Sequence, residues 1–310
     1  MDLSDRPRAH LGVWPTPLHD VDGLWMKRED LSGFGFGGNK VRKLEFLLGA
    51  AIARGQSRVV TFGALQSNHV RATAAACARL GLRLEAVAVQ AVPRADDDYT
   101  ASGNAFLTEL YGATRHVVPD DEAASALALE LMAEHGDDLA VVLPGGSDRI
   151  GTLGHVDSAL ELYGQLEFDP HEVVVAASTC GTMAGLVIGL AAAEVDTVVR
   201  GVCVYHPREQ TEAALRDLLT QTCDELGVPV PDDDRWVLDE SQFGDGYGIP
   251  SEAGLRQIRR LATTTGIALD PVYTAKAYAA LPRDPEQRRR TVFMHTGGGP
   301  SLFAYRTDLV

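Results

Sequence analysis

Two lysines follow a glycine-rich loop near the start of the chain. The loop runs from Gly33 to Gly38, and Lys40 and Lys43 lie at the start of a predicted helix, 39–54. Burial and the positive end of a helix both lower the pKa of an amine, so Lys40 could supply a neutral amine for a Schiff base. Lys43 shares the same helix face and could reach an anion held beside it. The alternative for each is a solvated lysine on a helix surface.

The same glycines match the pattern G-x-G-x-x-G of dinucleotide-binding sites. Such a site also needs an acidic residue about 20 residues further on, which holds the ribose. The sequence has no acidic residue between Glu45 and Glu85. We therefore exclude a dinucleotide site here.

A second candidate site is the segment STCGTMAG (178–185), which follows the apolar run VVVAA and opens a predicted helix. Backbone amides at a helix N-terminus bind phosphate, and the hydroxyls of Ser178, Thr179 and Thr182 would add donors. Cys180 and Gly181 lie in the same turn. An ordinary N-cap with small residues for close packing explains the pattern equally well.

The tripeptide Ser67-Asn68-His69 also precedes a predicted helix, 68–80. Ser67 and Asn68 either cap this helix or present a hydroxyl and an amide to a ligand. We interpret His69 as a polar neighbour and not as a base.

Strand-like and helix-like segments alternate along most of the chain, which predicts an α/β protein with parallel, doubly wound sheets. Four predicted strands lead into small or polar residues, and ligands bind at the carboxyl ends of such strands. We therefore expect one shared cleft. The four segments are GALQSNH (63–69), GGS (145–147), STCGTMAG (178–185) and HTGGGP (295–300).

Composition narrows the class of protein further. The 310 residues are 45% apolar and 23% charged, which excludes a disordered or fibrous chain and allows one or two domains. The net charge of −15 disfavours nucleic acid or an anionic membrane as a partner. Four widely spaced cysteines suggest neither a disulfide framework nor a metal site. We expect a cytoplasmic protein, since the N-terminus has no apolar signal core.

Taken in order, several segments resemble one family of pyridoxal-phosphate enzymes, that of D-cysteine desulfhydrase and 1-aminocyclopropane-1-carboxylate deaminase. The similarity covers nearly the whole chain, and GGNKxRKLE together with DPVY is the most specific part. The segments are GGNKVRKLE (37–45), GALQSNHVR (63–71), the loop 178–185, GYGIP (246–250), DPVYTAKA (270–277) and HTGGGPSLFAY (295–305).

This resemblance implies a tryptophan-synthase-β-like fold in which a small domain (49–155) is inserted into a larger one (1–48 and 156–310). It also implies a homodimer and a pyridoxal 5'-phosphate cofactor between the domains. Lys40 would be the covalent anchor, and Asn68 would bind the ring hydroxyl. Ser67, Tyr247 and Tyr273 would face the substrate. The remaining implied cofactor contacts are Lys43, Ser178, Thr179, Cys180, Gly181, Thr182, Thr274 and Gly297.

Three positions depart from the pattern expected in the family. Cys180 stands where glycine is expected, while Thr274 and His69 replace a glutamate and a glutamine of the deaminase branch. Cys180 bears on the shape of the loop, whereas Thr274 and His69 favour α,β-elimination, with D-cysteine giving pyruvate, hydrogen sulfide and ammonia. The alternatives are 1-aminocyclopropane-1-carboxylate deaminase, L-cysteate sulfo-lyase and a non-catalytic metabolite-binding α/β protein.

Overall fold

The computed structural model describes residues 1–309, which form two β-sheets with helices around them. The larger sheet has the strand order β1-β2-β10-β7-β8-β9, and the smaller has the order β5-β4-β3-β6. Neighbouring strands are parallel except for β1 and β2. The strands are β1 (Leu18–Val21), β2 (Leu24–Arg28), β3 (Arg58–Ala64), β4 (Arg83–Val89), β5 (Thr114–Val118), β6 (Leu139–Val142), β7 (Glu172–Ala177), β8 (Val198–Cys203), β9 (Trp236–Asp239) and β10 (Thr291–His295).

Helices cover both faces of each sheet. Val173 and Val175 pack in a core with α6, α7 and α8, whereas Val174 between them packs with α9 and α10, because successive strand residues point to opposite faces. In the smaller sheet, Val59 packs with α1 and α2, and Val60 packs with α5. The predicted α/β class is confirmed. The helices are α1 (Lys40–Ala53), α2 (Asn68–Leu80), α3 (Asp97–Ala101), α4 (Gly103–Leu110), α5 (Asp121–His135), α6 (Arg149–Gln165), α7 (Gly181–Ala192), α8 (Arg208–Leu226), α9 (Glu252–Thr265), α10 (Thr274–Ala279), α11 (Pro285–Arg289), α12 (Ser301–Ala304) and α13 (Arg306–Leu309).

The two proposed domain boundaries, after residues 48 and 155, fall inside α1 and α6. These two helices pack closely, since a Cβ on Gly154 would lie 2.4 Å from the backbone oxygen of Arg42. Helix α1 also packs on the smaller sheet. The division into an inserted and a surrounding domain stays a prediction.

The four cysteines are all buried, and none of them forms a disulfide. Residues 1–309 contain no group of three or more His, Cys, Asp or Glu side chains arranged to hold a metal ion. Over the same residues, no helix has the length and apolar character needed to cross a membrane.

Candidate active site

A cavity of about 610 Å³ lies where strands of both sheets end. Its wall includes residues that follow β3, β6, β7 and β10, so the four segments expected to form one cleft do meet. Two of the expected site residues, Lys43 and Thr274, lie behind this wall. The expected residues in the lining itself are Lys40, Ser67, Asn68, Ser178, Thr179, Cys180, Gly181, Thr182, Tyr247, Tyr273 and Gly297.

Lys40 is the first residue of α1, and the glycine loop before it sets its position. A Cβ on Gly37 would lie 1.9 Å from the carbonyl oxygen of Asp30, and its φ is +68°, so glycine is required there. The amide of Asn39 donates to the carbonyl of Thr296 at 3.0 Å, which ties the helix start to the loop after β10. Burial lowers the pKa of Lys40 to about 8. Near pH 8 about half of this amine is therefore neutral, which suits the Schiff-base interpretation.

A buried ionic cluster of Lys27, Glu29, Arg42 and Glu161 stabilises the start of α1. The Arg42 guanidinium donates to Glu29 and to Glu161, each at 2.7 Å, and Lys27 donates to the same Glu161 carboxylate. Arg42 and Glu29 are fully buried. The cluster connects α1 to β2 and α6, so the start of α1 is anchored from two directions.

Cys180 takes the left-handed backbone conformation at the start of α7, with φ of +60°. This conformation favours glycine, which gives a physical reason for the glycine expected here. The thiol is buried and donates to the carbonyl of Thr211 at 3.5 Å. Burial raises its pKa to about 12, so it stays a neutral thiol packed against α8.

The first turn of α7 forms a cradle suited to an anion. A Cβ on Gly181 would lie 2.6 Å from Lys43 Nζ, so only glycine leaves this space open. Lys43 donates to the carbonyl of Gly145 and to Ser147 Oγ, at 3.1 and 2.9 Å. Burial and the positive charge of Lys40 hold the pKa of Lys43 well below its usual range. A phosphate at this helix N-terminus would place a negative charge beside Lys43.

Ser67 caps α2, because its Oγ accepts from the amide of Val70 at 3.3 Å. The capping interpretation is therefore correct, yet Ser67 also lines the cavity, so the two readings do not exclude each other. Asn68 begins the helix and lines the cavity beside it.

His69 is buried beside this pair and also contributes to the cavity lining. Thr61 Oγ1 donates to the carbonyl of Val142 at 2.9 Å, so it must accept from His69 Nε2, which lies 2.7 Å away. Burial, followed by the charges of Lys40 and Lys43, lowers the pKa of His69 well below its usual value. These contacts support its role as a polar neighbour.

Tyr247 and Tyr273 meet across the cavity, with their hydroxyl oxygens 2.8 Å apart. The ring of Tyr205 packs edge-on against Tyr247, with the ring centroids 4.7 Å apart. Burial raises the pKa of Tyr247 to about 12 and that of Tyr273 well above its usual range. Both phenols stay protonated, and because one donates to the other, one O–H remains free for a ligand.

Thr274 is fully buried, and its hydroxyl donates to Asp270 Oδ1 at 2.6 Å. The Asp270 carboxylate also accepts from the backbone amides of Val272, Tyr273 and Thr274. Asp270, and not Thr274, lines the cavity on this side. Contact between Thr274 and a cofactor ring stays a prediction.

Several lining residues were missed by reasoning from the sequence. Asn39, Asp270 and Thr296 lie inside the quoted motifs, and attention to polar residues there would have found them. Asn39 Nδ2 donates to Thr182 Oγ1 at 2.9 Å and so links the starts of α1 and α7. Helix α5 gave no signal, although it supplies an outer wall of the cavity. Its lining residues are Asp121, Ala124, Ser125, Ala128 and Leu129.

Comparison with known proteins identifies the family. Residues 9–297 match the family described as pyridoxal-phosphate dependent enzyme. The D-cysteine desulfhydrase of Salmonella paratyphi A is 36% identical over 98% of this chain and 97% of its own. A solved structure called an ACC deaminase homologue is 34% identical, with a TM-score of 0.87 over 99% of this chain and 96% of that one. Threonine deaminase isoform 2 of Solanum lycopersicum, at 18% identity over 97% of this chain and 84% of its own, shares the fold with a TM-score of 0.65. The chain belongs to the family of pyridoxal-phosphate dependent enzymes.

Proposed function

We propose that this protein catalyses α,β-elimination from a small amino acid, with D-cysteine or a close β-substituted alanine as its best substrate. D-cysteine and water would give pyruvate, ammonia and hydrogen sulfide. The observation that carries the proposal is the half-buried Lys40 amine, whose pKa is lowered to about 8, in one cavity with the anion cradle of α7. The 36% identity to proteins named D-cysteine desulfhydrase supports this choice of substrate.

The residues of the cavity fit pyridoxal 5'-phosphate. Lys40 would anchor it covalently, and Asn68 would donate to its ring oxygen. When bound, the cofactor supplies an electron sink that makes the substrate's Cα–H bond more acidic. The phosphate would be held by the first turn of α7 with Lys43 behind it, and the other contacts would be Ser178, Thr179, Cys180, Gly181, Thr182, Thr274 and Gly297.

The chain's own groups would hold and move the protons. Lys40 Nζ, once free of the cofactor, would accept the proton from the substrate Cα. The Ser67 hydroxyl accepts from the amide of Val70, so its own proton can be donated to the substrate carboxylate at the start of α2. The free hydroxyl of the pair Tyr247 and Tyr273 would donate to the β-substituent. A thiol, with a pKa of ~8.5, leaves readily.

Ring opening of 1-aminocyclopropane-1-carboxylate is the second candidate, because the ACC deaminase homologue is 34% identical. That substrate has no α-proton and expels a carbon. L-cysteate is disfavoured, because Lys40 is the only lysine or arginine in the cavity lining of residues 1–309, which leaves a sulfonate poorly compensated.

The test is a product assay with the purified protein and pyridoxal 5'-phosphate. D-cysteine should give sulfide and pyruvate in equal amounts, and Lys40→Ala should abolish both this turnover and the visible absorption band. Borohydride reduction followed by peptide mass spectrometry should place the pyridoxyl group on Lys40. A label on Lys27, Lys43 or Lys276 would contradict the anchor. Formation of 2-oxobutyrate from 1-aminocyclopropane-1-carboxylate at comparable kcat/KM would contradict the substrate.

We further propose that the protein is cytoplasmic and homodimeric, with no nucleic-acid or membrane partner. The dimer rests on the family resemblance, and the absence of such partners rests on the net charge of −15. Sedimentation equilibrium tests the dimer, and a monomer at micromolar concentration would contradict it.

A further inference from the structure

A chain of buried polar groups runs from the glycine loop before Lys40 to the cavity. Arg71, on α2, donates through Nη1 to the carbonyls of Gly35 and Gly37, and through Nε to Asn104 Oδ1 at 3.2 Å. Asn104, on α4, donates through Nδ2 to Asn68 Oδ1 at 2.8 Å. Arg71 closes the quoted segment GALQSNHVR (63–71), but neither Arg71 nor Asn104 was among the expected site residues.

The donors and acceptors of this chain can be arranged in only one way. A guanidinium only donates, so the atom of Asn104 that faces Arg71 must be its carbonyl oxygen. The other end of the amide also faces the carbonyl of Gln66 at 3.0 Å, which only accepts and so requires the NH2 group. Asn104 is therefore fixed from both ends, and it is fully buried.

The fixed amide of Asn104 fixes that of Asn68 in turn. Turning Asn68 over would bring two NH2 groups together at the 2.8 Å now spanned by a hydrogen bond. The oxygen of Asn68 is therefore turned away from a ligand, and its NH2 group has no protein acceptor among residues 1–309. Because Asn68 lines the cavity, this NH2 group is left for whatever the cavity holds.

We propose that Arg71 and Asn104 are positioning residues that hold the Asn68 amide with its NH2 group toward the cavity, where it donates to an anionic ring oxygen of the cofactor. This inference rests on the proposed function, since pyridoxal 5'-phosphate is the ligand that supplies such an oxygen. It adds two residues outside the cavity wall to those that tune the cofactor.

Arg71 also contacts the loop that precedes Lys40, so it connects Lys40 with Asn68. Its contacts with Gly35 and Gly37 hold the loop that leads into Lys40, while its contact with Asn104 sets the partner of Asn68. No carboxylate among residues 1–309 lies within 4.0 Å of this buried guanidinium, so these backbone carbonyls and the amide oxygen alone satisfy it. Substitution of Arg71 should therefore affect both the position of Lys40 and the orientation of the Asn68 amide.

The test uses Asn104→Ala, which removes the relay, and Asn104→Asp, which keeps the shape but offers only acceptors to Asn68. An aspartate beside the Arg71 guanidinium stays ionised, so Asn68 must turn its NH2 group away from the cavity to meet it. Thr108→Val is the matched control, because Thr108 is buried one turn along α4 and its hydroxyl donates to the backbone carbonyl of Asn104 and not to the side chain.

Two measurements on the holoenzyme are required besides turnover. One is the dissociation constant for pyridoxal 5'-phosphate, and the other is the midpoint of the pH titration of its visible band. Asn104→Asp should raise the dissociation constant by roughly tenfold, equal to about 1.4 kcal/mol. It should raise the titration midpoint by roughly one pH unit, because the ring oxygen then keeps its full negative charge and holds the neighbouring proton more tightly. Asn104→Ala should move both in the same direction by less, and Thr108→Val should move neither.

A double-mutant cycle separates positioning from general damage to α4. In an Asn68→Ala background, the Asn104 substitutions should have no further effect on the affinity or the midpoint, because they act only through Asn68. Equal effects in both backgrounds, or an unchanged midpoint in Asn104→Asp, would overturn the proposal while leaving the proposed function intact. Should both Asn104 variants fail to fold, Arg71→Lys, which cannot reach all its present acceptors, must shift the midpoint upward. A wild-type protein that takes up no cofactor on Lys40 would overturn both this proposal and the proposed function.

Discussion

Replacing Lys40 by methionine should stabilise the cofactor-free protein, although it removes the proposed covalent anchor of the cofactor. Burial lowers the pKa of Lys40 from 10.5 to about 8, which means that the folded protein disfavours its charged form. Methionine has a similar length and no charge. The substitution also removes the positive charge that lowers the pKa values of Lys43 and His69.

The size of the effect follows from the shift. At 1.36 kcal/mol per pKa unit, the charged lysine destabilises the folded state by on the order of 3 kcal/mol at pH 7. Lys40 borders a cavity open to water, which screens part of this cost, so we expect Lys40→Met to gain about 1–2 kcal/mol. Between pH 8 and 10.5 the unfolded chain binds more protons than the folded one, so the stability of the wild type rises with pH and the advantage of the variant fades.

Lys276 is a matched control, because burial lowers its pKa to about 8 as well. Unlike Lys40, it donates to two carbonyls, those of Phe243 and Gly246, at 2.8 and 2.9 Å. Lys276→Met strands both acceptors, at about 1–3 kcal/mol each. We therefore expect Lys276→Met to be less stable than Lys40→Met by about 2 kcal/mol or more.

Urea unfolding of the cofactor-free proteins at pH 7 and at pH 10 measures these differences, with the slope of each transition checked for a two-state fit. Lys40→Met at or below wild-type stability at pH 7 would refute the reasoning. So would a gain that is as large at pH 10 as at pH 7, because the gain is assigned to a charge that is largely lost at that pH.

Three further outcomes follow from the same contacts. Because φ at Cys180 is +60°, Cys180→Gly should unfold at no lower urea concentration than Cys180→Ala, since left-handed backbone costs an L-residue about 1–2 kcal/mol; a clearly less stable glycine variant contradicts this. Gly181→Ala would place Cβ 2.6 Å from Lys43 Nζ, so equilibrium dialysis should show cofactor affinity weakened by roughly tenfold, and unchanged affinity refutes the cradle. Arg42→Met leaves Glu29 buried and unpaired and should lower the free energy of unfolding by about 3–5 kcal/mol, with part of it restored by adding Glu29→Gln; a loss below 1 kcal/mol would mean that the cluster does not anchor α1.

The sequence predicted best those elements whose apolar pattern and end signals agree. Helix α2 has the expected bounds, and the Ser67 cap marks its start. Strand β5 and helix α5, between residues 112 and 138, were not predicted. Their apolar residues do not mark one face, because β5 is a half-exposed edge strand and α5 buries only Ala124 and Leu131. The extended backbone of Ser102 separates α3 from α4.

For the site, the segments could be predicted but not which atoms face the cavity. Each segment carries local signals, such as the glycines before Lys40 or the hydroxyls before α7. By contrast, the contacts of Arg71 with Gly35 and of Asn104 with Asn68 join residues 36 positions apart, and no local pattern encodes them. The position of Thr274 behind Asp270 likewise depends on how the turn at 270–274 closes on itself.

The charges around the cavity and its hydrogen-bond donors both favour a ligand that carries negative charge. The positive charge of Lys40 lowers the pKa of Lys43, and the charges of both lysines lower the pKa of His69, in each case in addition to the effect of burial. The N-terminus of α7 adds a further positive end, and the donors of Asn68 and Ser67 face the same space. A dianionic phosphate held at Gly181 would relieve the repulsion on Lys43 directly. A ring oxygen beside Asn68 would use the one donor that Arg71 and Asn104 keep turned toward the cavity. Groups that destabilise the cofactor-free protein therefore become favourable contacts once the cofactor is bound, so part of its affinity comes from strain that the fold already carries.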